Sequence, residues 1–185
     1  MKDLASTGHG AVEVEPGRIG AADLFRAHGA FVAGFLVRLG AARVDVDDLT
    51  QEVFLVAHRR GGYAPGAARP TTWLAEIAIR VLSTHRRTKR RRPEQPASEA
   101  LDATHHGGAA PDEHAASRNA LARVQECLDG LDEEHRAVFV LFELEGEPCP
   151  AIAAALGLPV GTVYSRLHHA RQRFLEAWAA RGGGR

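Results

Sequence analysis

Apolar residues return at steps of three and four along most of this chain, and nowhere with the alternation of a strand. Between Ala21 and Gly40, Leu24, Phe31, Phe35 and Leu39 share one stripe with His28, flanked by Phe25, Val32 and Leu36. This is an amphipathic helix that Gly40 stops. A second helix opens at Asp45, Asp47 and Asp48, where carboxylates suit the positive end of the dipole. It buries Leu49, Val53 and Val56 and ends at Gly61-Gly62. After the turn-forming loop YAPGAAR, Pro70 begins a third helix whose apolar side is Trp73, Leu74, Ile77 and Val81, and Pro93 ends it. Periodicity then lapses, and resumes in a helix from about Ala116 to Leu128. Another follows from about Asp132 to Leu144, with Val138, Leu141 and Phe142 inward.

The last pair of helices is the most informative. Cys149-Pro150 opens the first, a tight Gly157-Leu158-Pro159 turn ends it, and the second carries Val160, Val163, Leu167, Ala170 and Phe174 on one side. Directly opposite stand Ser165, His168 and Gln172, with Thr162 and His169 just to one side. Arg166 and Arg173 flank that face on one edge, Tyr164 and Arg171 on the other. Hydrogen-bonding groups in the middle and cations at the margins suit a helix lying in the major groove, reading bases while its edges touch phosphates.

The expected architecture is all-α: two small helical domains joined by a flexible linker, the C-terminal one containing a helix-turn-helix. Residues 1–20 read as a mobile tail, 21–92 as the first domain, 93–115 as a Pro, Ala, Gly and His-rich linker, and 116–180 as the second. The 185 residues, 45% of them hydrophobic, suffice for two modest cores.

Charge changes this picture more than composition does. Formal net charge is zero, yet Arg80 to Arg92 holds seven Arg or Lys and no acid. Glu126 to Glu147 holds eight acids and one Arg, and the segment from Val160 onward five Arg and one Glu. Two basic surfaces and an acidic one lie behind the neutral sum. The two cysteines, Cys127 and Cys149, point to free thiols in a reducing cytosol, and MKDLASTGHG lacks a secretory h-region. A cytoplasmic protein without direct membrane insertion is expected.

Two stretches carry a resemblance. DDLTQEVFLVAHRR, followed by TTWLAEIAIRVLSTHRR, resembles the second conserved region of bacterial sigma-70 family factors. LDGLDEEHRAVFVLFELEGEPCPAIAAALGLPVGTVYSRLHHARQRF resembles their fourth. Order and spacing are similar to the compact extracytoplasmic-function (ECF) type, and the likeness spans about residues 20 to 180. It implies a dissociable RNA polymerase subunit that confers promoter recognition, assists melting and initiates transcription of a stress or envelope-response regulon. It further implies binding to the clamp of the largest polymerase subunit and the flap of the second-largest, to promoter DNA, and to an anti-sigma factor.

Carried over by position, Asp48, Gln51, Glu52 and Phe54 would dock on the clamp, although Asp48 and Glu52 also read as ordinary acids near a helix N-terminus. Tyr63, Arg80, His85, Arg86 and Arg87 would meet the minus-ten element, where an unstacked base needs a cavity and its backbone needs cations. Tyr63 reads equally as a loop anchor, and Trp73 as core. Thr162, Tyr164, Ser165, Arg166, His168, His169, Arg171, Gln172 and Arg173 would meet the minus-thirty-five element. Tyr164 and His169 stand where the family usually has basic residues, which should weaken phosphate attraction and alter base preference. No catalytic constellation, cofactor motif or spaced metal-ligand pairs is present, so no enzyme activity, cofactor or metal is expected. The rival from another class is a dimeric helix-turn-helix regulator that binds DNA without being a polymerase subunit.

Overall fold

The computed structural model describes residues 17–66, 68–91 and 111–182. Seven α-helices lie among them: α1 Ala21–Arg38, α2 Val46–Arg59, α3 Pro70–Arg91, α4 Pro111–Asp129, α5 Glu133–Phe139, α6 Cys149–Leu156 and α7 Val160–Ala180. A 3-10 turn, Arg43–Asp45, leads into α2, and a π-helical turn, Val140–Leu144, continues α5. The linker expected at 93–115 falls outside the described residues as far as 110. Its last part is instead the start of α4, five residues earlier than the periodicity suggested. Pro111 explains the miss: a proline in the first turn starts a helix without contributing to an apolar stripe.

Helices α1, α2 and α3 form the first unit. Leu24, Val32, Phe35 and Leu36 meet Leu49, Val53 and Ala57 and then Leu74, Ile77, Ala78 and Leu82, all buried. The stripe on α1 is rotated from the expected one, with Val32 and Leu36 replacing His28 and Phe31 at its centre, because α1 packs against two helices rather than one. Residues 17–20 were expected in a mobile tail. Here Ile19 pairs with Tyr63 in an isolated antiparallel bridge, and Arg18 donates to the carbonyls of Arg60 and Gly62.

The second unit packs α7 across α4, α5 and α6 through Val163, Leu167 and Ala170 against Leu128, Val138, Leu141 and Ile152. Phe174 stacks on Phe139, with ring centroids 4.7 Å apart. Val160, expected inward, is exposed, since it is the first residue of α7 and projects beyond the core. Between α6 and α7, Gly157 adopts φ +66 at the helix C-cap, the left-handed conformation that lets the chain reverse within three residues before Pro159 restarts it.

Asp132 caps α5, its Oδ1 accepting from the His135 backbone N–H at 3.1 Å and meeting the His135 ring at 2.7 Å. Burial alone would raise its carboxyl pKa. The His135 hydrogen bonds and the Arg173 charge outweigh that and hold it below the usual value. A depressed carboxylate stabilises the fold fully above its ordinary titration near pH ~4 and loses that contribution as pH falls through the folded value. Asp132→Ala is expected to cost about 1 kcal/mol at neutral pH, read as a lower urea midpoint, and to abolish that part of the acid sensitivity. An unchanged midpoint would count against the cap.

The two units pack on one another, and their cores join in one cluster. The main packing between the units is α3 against α6, and the C-terminus of α1 joins it, ending in a Schellman turn: Gly40 N–H bonds to Val37 C=O and Ala41 N–H to Leu36 C=O. Gly40 sits at φ +82, and a Cβ there would collide with Nη1 of Arg136 in the other unit.

Candidate nucleic-acid interface

Helix α7 presents the polar face expected of it. Tyr164, Ser165, His168, His169, Arg171, Gln172 and Arg173 are exposed, and Thr162 and Arg166 are half-buried beside them. Ser165 donates its hydroxyl hydrogen to Thr162 C=O at 3.0 Å, and the His168 and His169 rings lie edge to face. The helical period alone dictates this face, because Val163, Leu167 and Ala170 fix the opposite side inward.

Unforeseen from the sequence is that the flanking cations are already paired. Arg166 binds Glu134, Arg171 binds Glu143 and Arg173 binds Asp132 at 2.9 Å. Arg171 also lies over the Phe142 ring, 5.0 Å from its centroid. All three acids belong to the run 126–147, whose charge was legible while its placement against α7 was not. The pairs of Arg171 and Arg173 are exposed and weak in water, while Arg166 is the more buried of the three. They orient the guanidinium groups without holding them tightly.

In the first unit the candidates divide. Asp48 and Glu52 border a groove of about 610 Å³ between α2 and α3, floored by Leu49, Ile77 and Val81. Arg60, Arg80 and His85 stand along the same groove, so acids expected to touch polymerase and cations expected to touch DNA share one depression. Glu76 fixes the cationic rim, binding Arg80 at 3.1 Å and Arg60 at 3.4 Å. Gln51 and Phe54 lie elsewhere, in a shallow apolar hollow with Phe25, Leu55 and His58. Phe54 is mostly buried and packs edge to face on Phe25 at 5.1 Å, whereas Phe25 and Leu55 are half exposed. Phe25, in sequence a flank of the α1 stripe, and Leu55 on α2 carry a local signal for this hollow, an apolar residue just off the helix stripe.

Tyr63 is a correction. It is buried, its hydroxyl hydrogen bonds to Ala68 C=O, and its ring packs against Trp73 with centroids 5.8 Å apart, so it anchors the loop and offers no face to a base. Trp73 is half-buried against the core, as its apolar spacing suggests. His85 contacts Asp45 at 3.2 Å, and Lys89 joins it at 3.0 Å. Burial would raise the Asp45 pKa, but the bonds to Lys89 and His85 prevail and lower it. Arg87 is exposed on the basic end of α3. Arg86 is turned away from solvent, donating to Leu39 C=O at 2.7 Å and Gly40 C=O at 3.0 Å. Among the described residues no group of three or more His, Cys, Asp or Glu is placed to hold a metal, and no helix is long and apolar enough to cross a membrane.

The comparisons with known proteins fall on these same two units. The family model for sigma-70 region 2 matches residues 24–92, and that for sigma-70 region 4 matches residues 121–174. The RNA polymerase sigma-H factor of Pseudomonas aeruginosa is 33% identical over 148 residues, 76% of this chain and 77% of that protein. The ECF RNA polymerase sigma-E factor of Escherichia coli K12 is 33% identical over 135 residues, 69% of this chain and 71% of that protein. The solved structure of CnrH with the cytosolic domain of CnrY is similar at a TM-score of 0.59 and 26% identity, covering 86% of this chain and 88% of that one. RpoE bound to the anti-sigma factor NepR from Bartonella quintana shares the fold at a TM-score of 0.62 and 19% identity, covering 84% and 94%. With both region models matched in order and relatives covered over more than two thirds of their length, this chain belongs to the sigma-70 family of RNA polymerase sigma factors, in its extracytoplasmic-function group.

Proposed function

We propose that this chain is a dissociable sigma subunit that recruits core RNA polymerase to a promoter, recognises it through two elements, and assists its opening. The observation that carries this reading is the presence of two different binding faces in one chain. The α2–α3 groove offers acids on one side and Arg80, His85 and Arg60 on the other. Helix α7 offers a polar centre with arginine margins. The first suits a protein contact beside a displaced single strand; the second suits a duplex major groove.

In residue terms, Asp48 and Glu52, with the hollow around Gln51, Phe54, Phe25 and Leu55, meet the polymerase clamp. Arg80, His85, Arg86 and Arg87 meet the minus-ten strand backbone. Ser165, His168 and Gln172 read bases of the minus-thirty-five element, Thr162, Tyr164 and His169 shape that reading, and Arg166, Arg171 and Arg173 hold phosphates. The chain contributes recognition rather than covalent chemistry, and works where polymerase does, in the cytoplasm. The solved relatives titled as complexes with CnrY and with the anti-sigma factor NepR support an anti-sigma partner here as well.

A mobility-shift titration tests this reading against the dimeric-regulator alternative. With core polymerase, promoter fragments are expected to shift specifically; without it, the protein at the same concentration leaves duplex unshifted. Specific occupation of duplex by the protein alone, as a dimer, would overturn the proposal.

A further inference from the structure

We propose that the segment 17–20, just before α1, is a clip that positions the loop between α2 and α3 for the minus-ten strand, so that promoter opening depends on Arg18 and Ile19 while polymerase docking does not. This role rests on the assignment of the α2–α3 groove to that strand.

The end of α2 needs a support from outside itself. Arg60 caps the helix, its N–H bonding to Val56 C=O at 3.0 Å. Gly61 and Gly62 follow at φ +74 and φ +80, their N–H groups returning to His58 C=O at 2.8 Å and Ala57 C=O at 3.0 Å. Two successive left-handed glycines turn the chain sharply, but glycine also has the most backbone freedom to lose.

The clip closes on this turn. Nη2 of Arg18 donates to Gly62 C=O at 2.7 Å and to Arg60 C=O at 3.1 Å, so one nitrogen ties the two carbonyls that flank Gly61. A cation in that place also meets the negative end of the α2 dipole. Beside it, Ile19 and Tyr63 exchange two backbone hydrogen bonds, at 2.8 and 2.9 Å. The approach is so close that only glycine fits at position 62, where a Cβ would stand 2.4 Å from the Ile19 carbonyl oxygen. Tyr63 carries the restraint forward, because its hydroxyl bonds to Ala68 C=O near the start of α3.

What the clip holds is one rim of the groove and the loop that continues it. Arg60 lines the groove, and its side chain meets Glu76 at 3.4 Å, which in turn binds Arg80 at 3.1 Å. A line of contacts therefore runs from Arg18 through Arg60 and Glu76 to a cation assigned to the displaced strand. Between Tyr63 and Ala68, the residues Ala64, Pro65 and Gly66 are exposed and offer small side chains and backbone groups. A surface of that kind holds an unstacked base only when it is ordered beforehand, since ordering it on binding would weaken the complex. Asp48 and Glu52, assigned to the clamp, lie about 18 and 12 Å back along α2 from Arg60, so a loosened clip leaves them in place.

The test uses the full chain assembled with core polymerase on a promoter fragment that the natural holoenzyme transcribes. Arg18→Ala removes the tie, and Ile19→Pro removes the N–H donated to Tyr63. Arg18→Lys keeps a cationic nitrogen with enough donors for both carbonyls. Neither residue is among the proposed DNA or polymerase contacts. Permanganate reactivity of unpaired thymines in the minus-ten region should fall several-fold with Arg18→Ala and with Ile19→Pro, and Arg18→Lys should restore most of it. Co-elution with core polymerase, and holoenzyme affinity for a duplex carrying the minus-thirty-five element alone, should be unchanged in all three variants. Opening by Arg18→Ala equal to that of the natural chain would overturn the clip and leave the proposed function standing. A parallel loss of polymerase association would likewise overturn it, by showing a contact that serves the fold alone. Failure of the natural chain itself to open any fragment would reject the proposed function, and this role with it.

Discussion

Asp48→Lys with Glu52→Lys is expected to remove stable association with core polymerase, by about a hundred-fold or more, while leaving the helical fold in place. Asp48 is exposed and Glu52 half-buried at the rim of the α2–α3 groove. Their structural duties are small. Asp48 lies in the first turn of α2, where a carboxylate contributes about 0.3–1 kcal/mol through the dipole. Glu52 pairs with Arg59 at 2.6 Å on the surface, a contact of roughly 0–1 kcal/mol. Like-charge juxtaposition at a docked interface costs several kcal/mol, which is where the hundred-fold estimate comes from. Gel filtration with core polymerase, paired with circular dichroism, reads both halves of the claim. Retained co-elution would show that these acids are ordinary helix-start residues and that docking resides elsewhere on the unit.

Replacing Arg166, Arg171 and Arg173 together by Ala should weaken binding of holoenzyme to a promoter with a minus-thirty-five element by about ten-fold per arginine, near 1.4 kcal/mol each. The more discriminating readout is salt. Each arginine withdrawn from a phosphate should flatten the slope of log affinity against log salt by about 0.9, so the triple variant should flatten it by between about two and three. The effect is smaller than for three free cations, because Glu134, Glu143 and Asp132 already hold these side chains. By the same reasoning Glu143→Gln alone should strengthen binding, since Arg171 would no longer exchange a carboxylate for a phosphate. An unaltered salt slope in the triple variant would deny these arginines a phosphate role. Base preference should survive it, because Ser165, His168 and Gln172 remain.

Much of this molecule is written in its helical period. Val163, Leu167 and Ala170 determine which side of α7 is buried, and the polar face opposite follows without any tertiary information. Gly157-Leu158-Pro159 announces the turn between α6 and α7 for equally local reasons. Where the reading failed, the deciding contact was distant in sequence. Tyr63 lies in a loop and could have faced solvent; its burial depends on Trp73 ten residues on and on the bridge to Ile19. Arg86 sits within a run of cations, and nothing local distinguishes it from Arg87, yet only Arg86 reaches the α1 carbonyls forty-six and forty-seven residues away. The acids of 126–147 were visible as a charged run. That they would neutralise α7 on one side and grip Arg38 and Arg69 on the other is a property of packing.

Electrostatics thereby link the polar face of α7 to the packing of the two units. The acidic segment 126–147 faces both basic surfaces, pairing with Arg86 on one and with Arg173 on the other. Pairing of this kind restrains nonspecific attraction to DNA, since exposed cations alone would bind any duplex. Burial pulls the Arg136 guanidinium below its ordinary range, Asp129 opposes that shift and Arg86 adds to it. Arg136 stays charged at any physiological pH and is carried into the junction as a cation, held by Asp129 and Leu131 within its own unit.

Run-off transcription with purified core polymerase and a pool of promoter fragments tests the central claim most directly. With this protein added, initiation is expected from a small set of fragments sharing two elements at fixed spacing, and core enzyme alone should leave that set silent. Equal initiation with and without the protein, or repression of fragments it occupies by itself, would contradict the account.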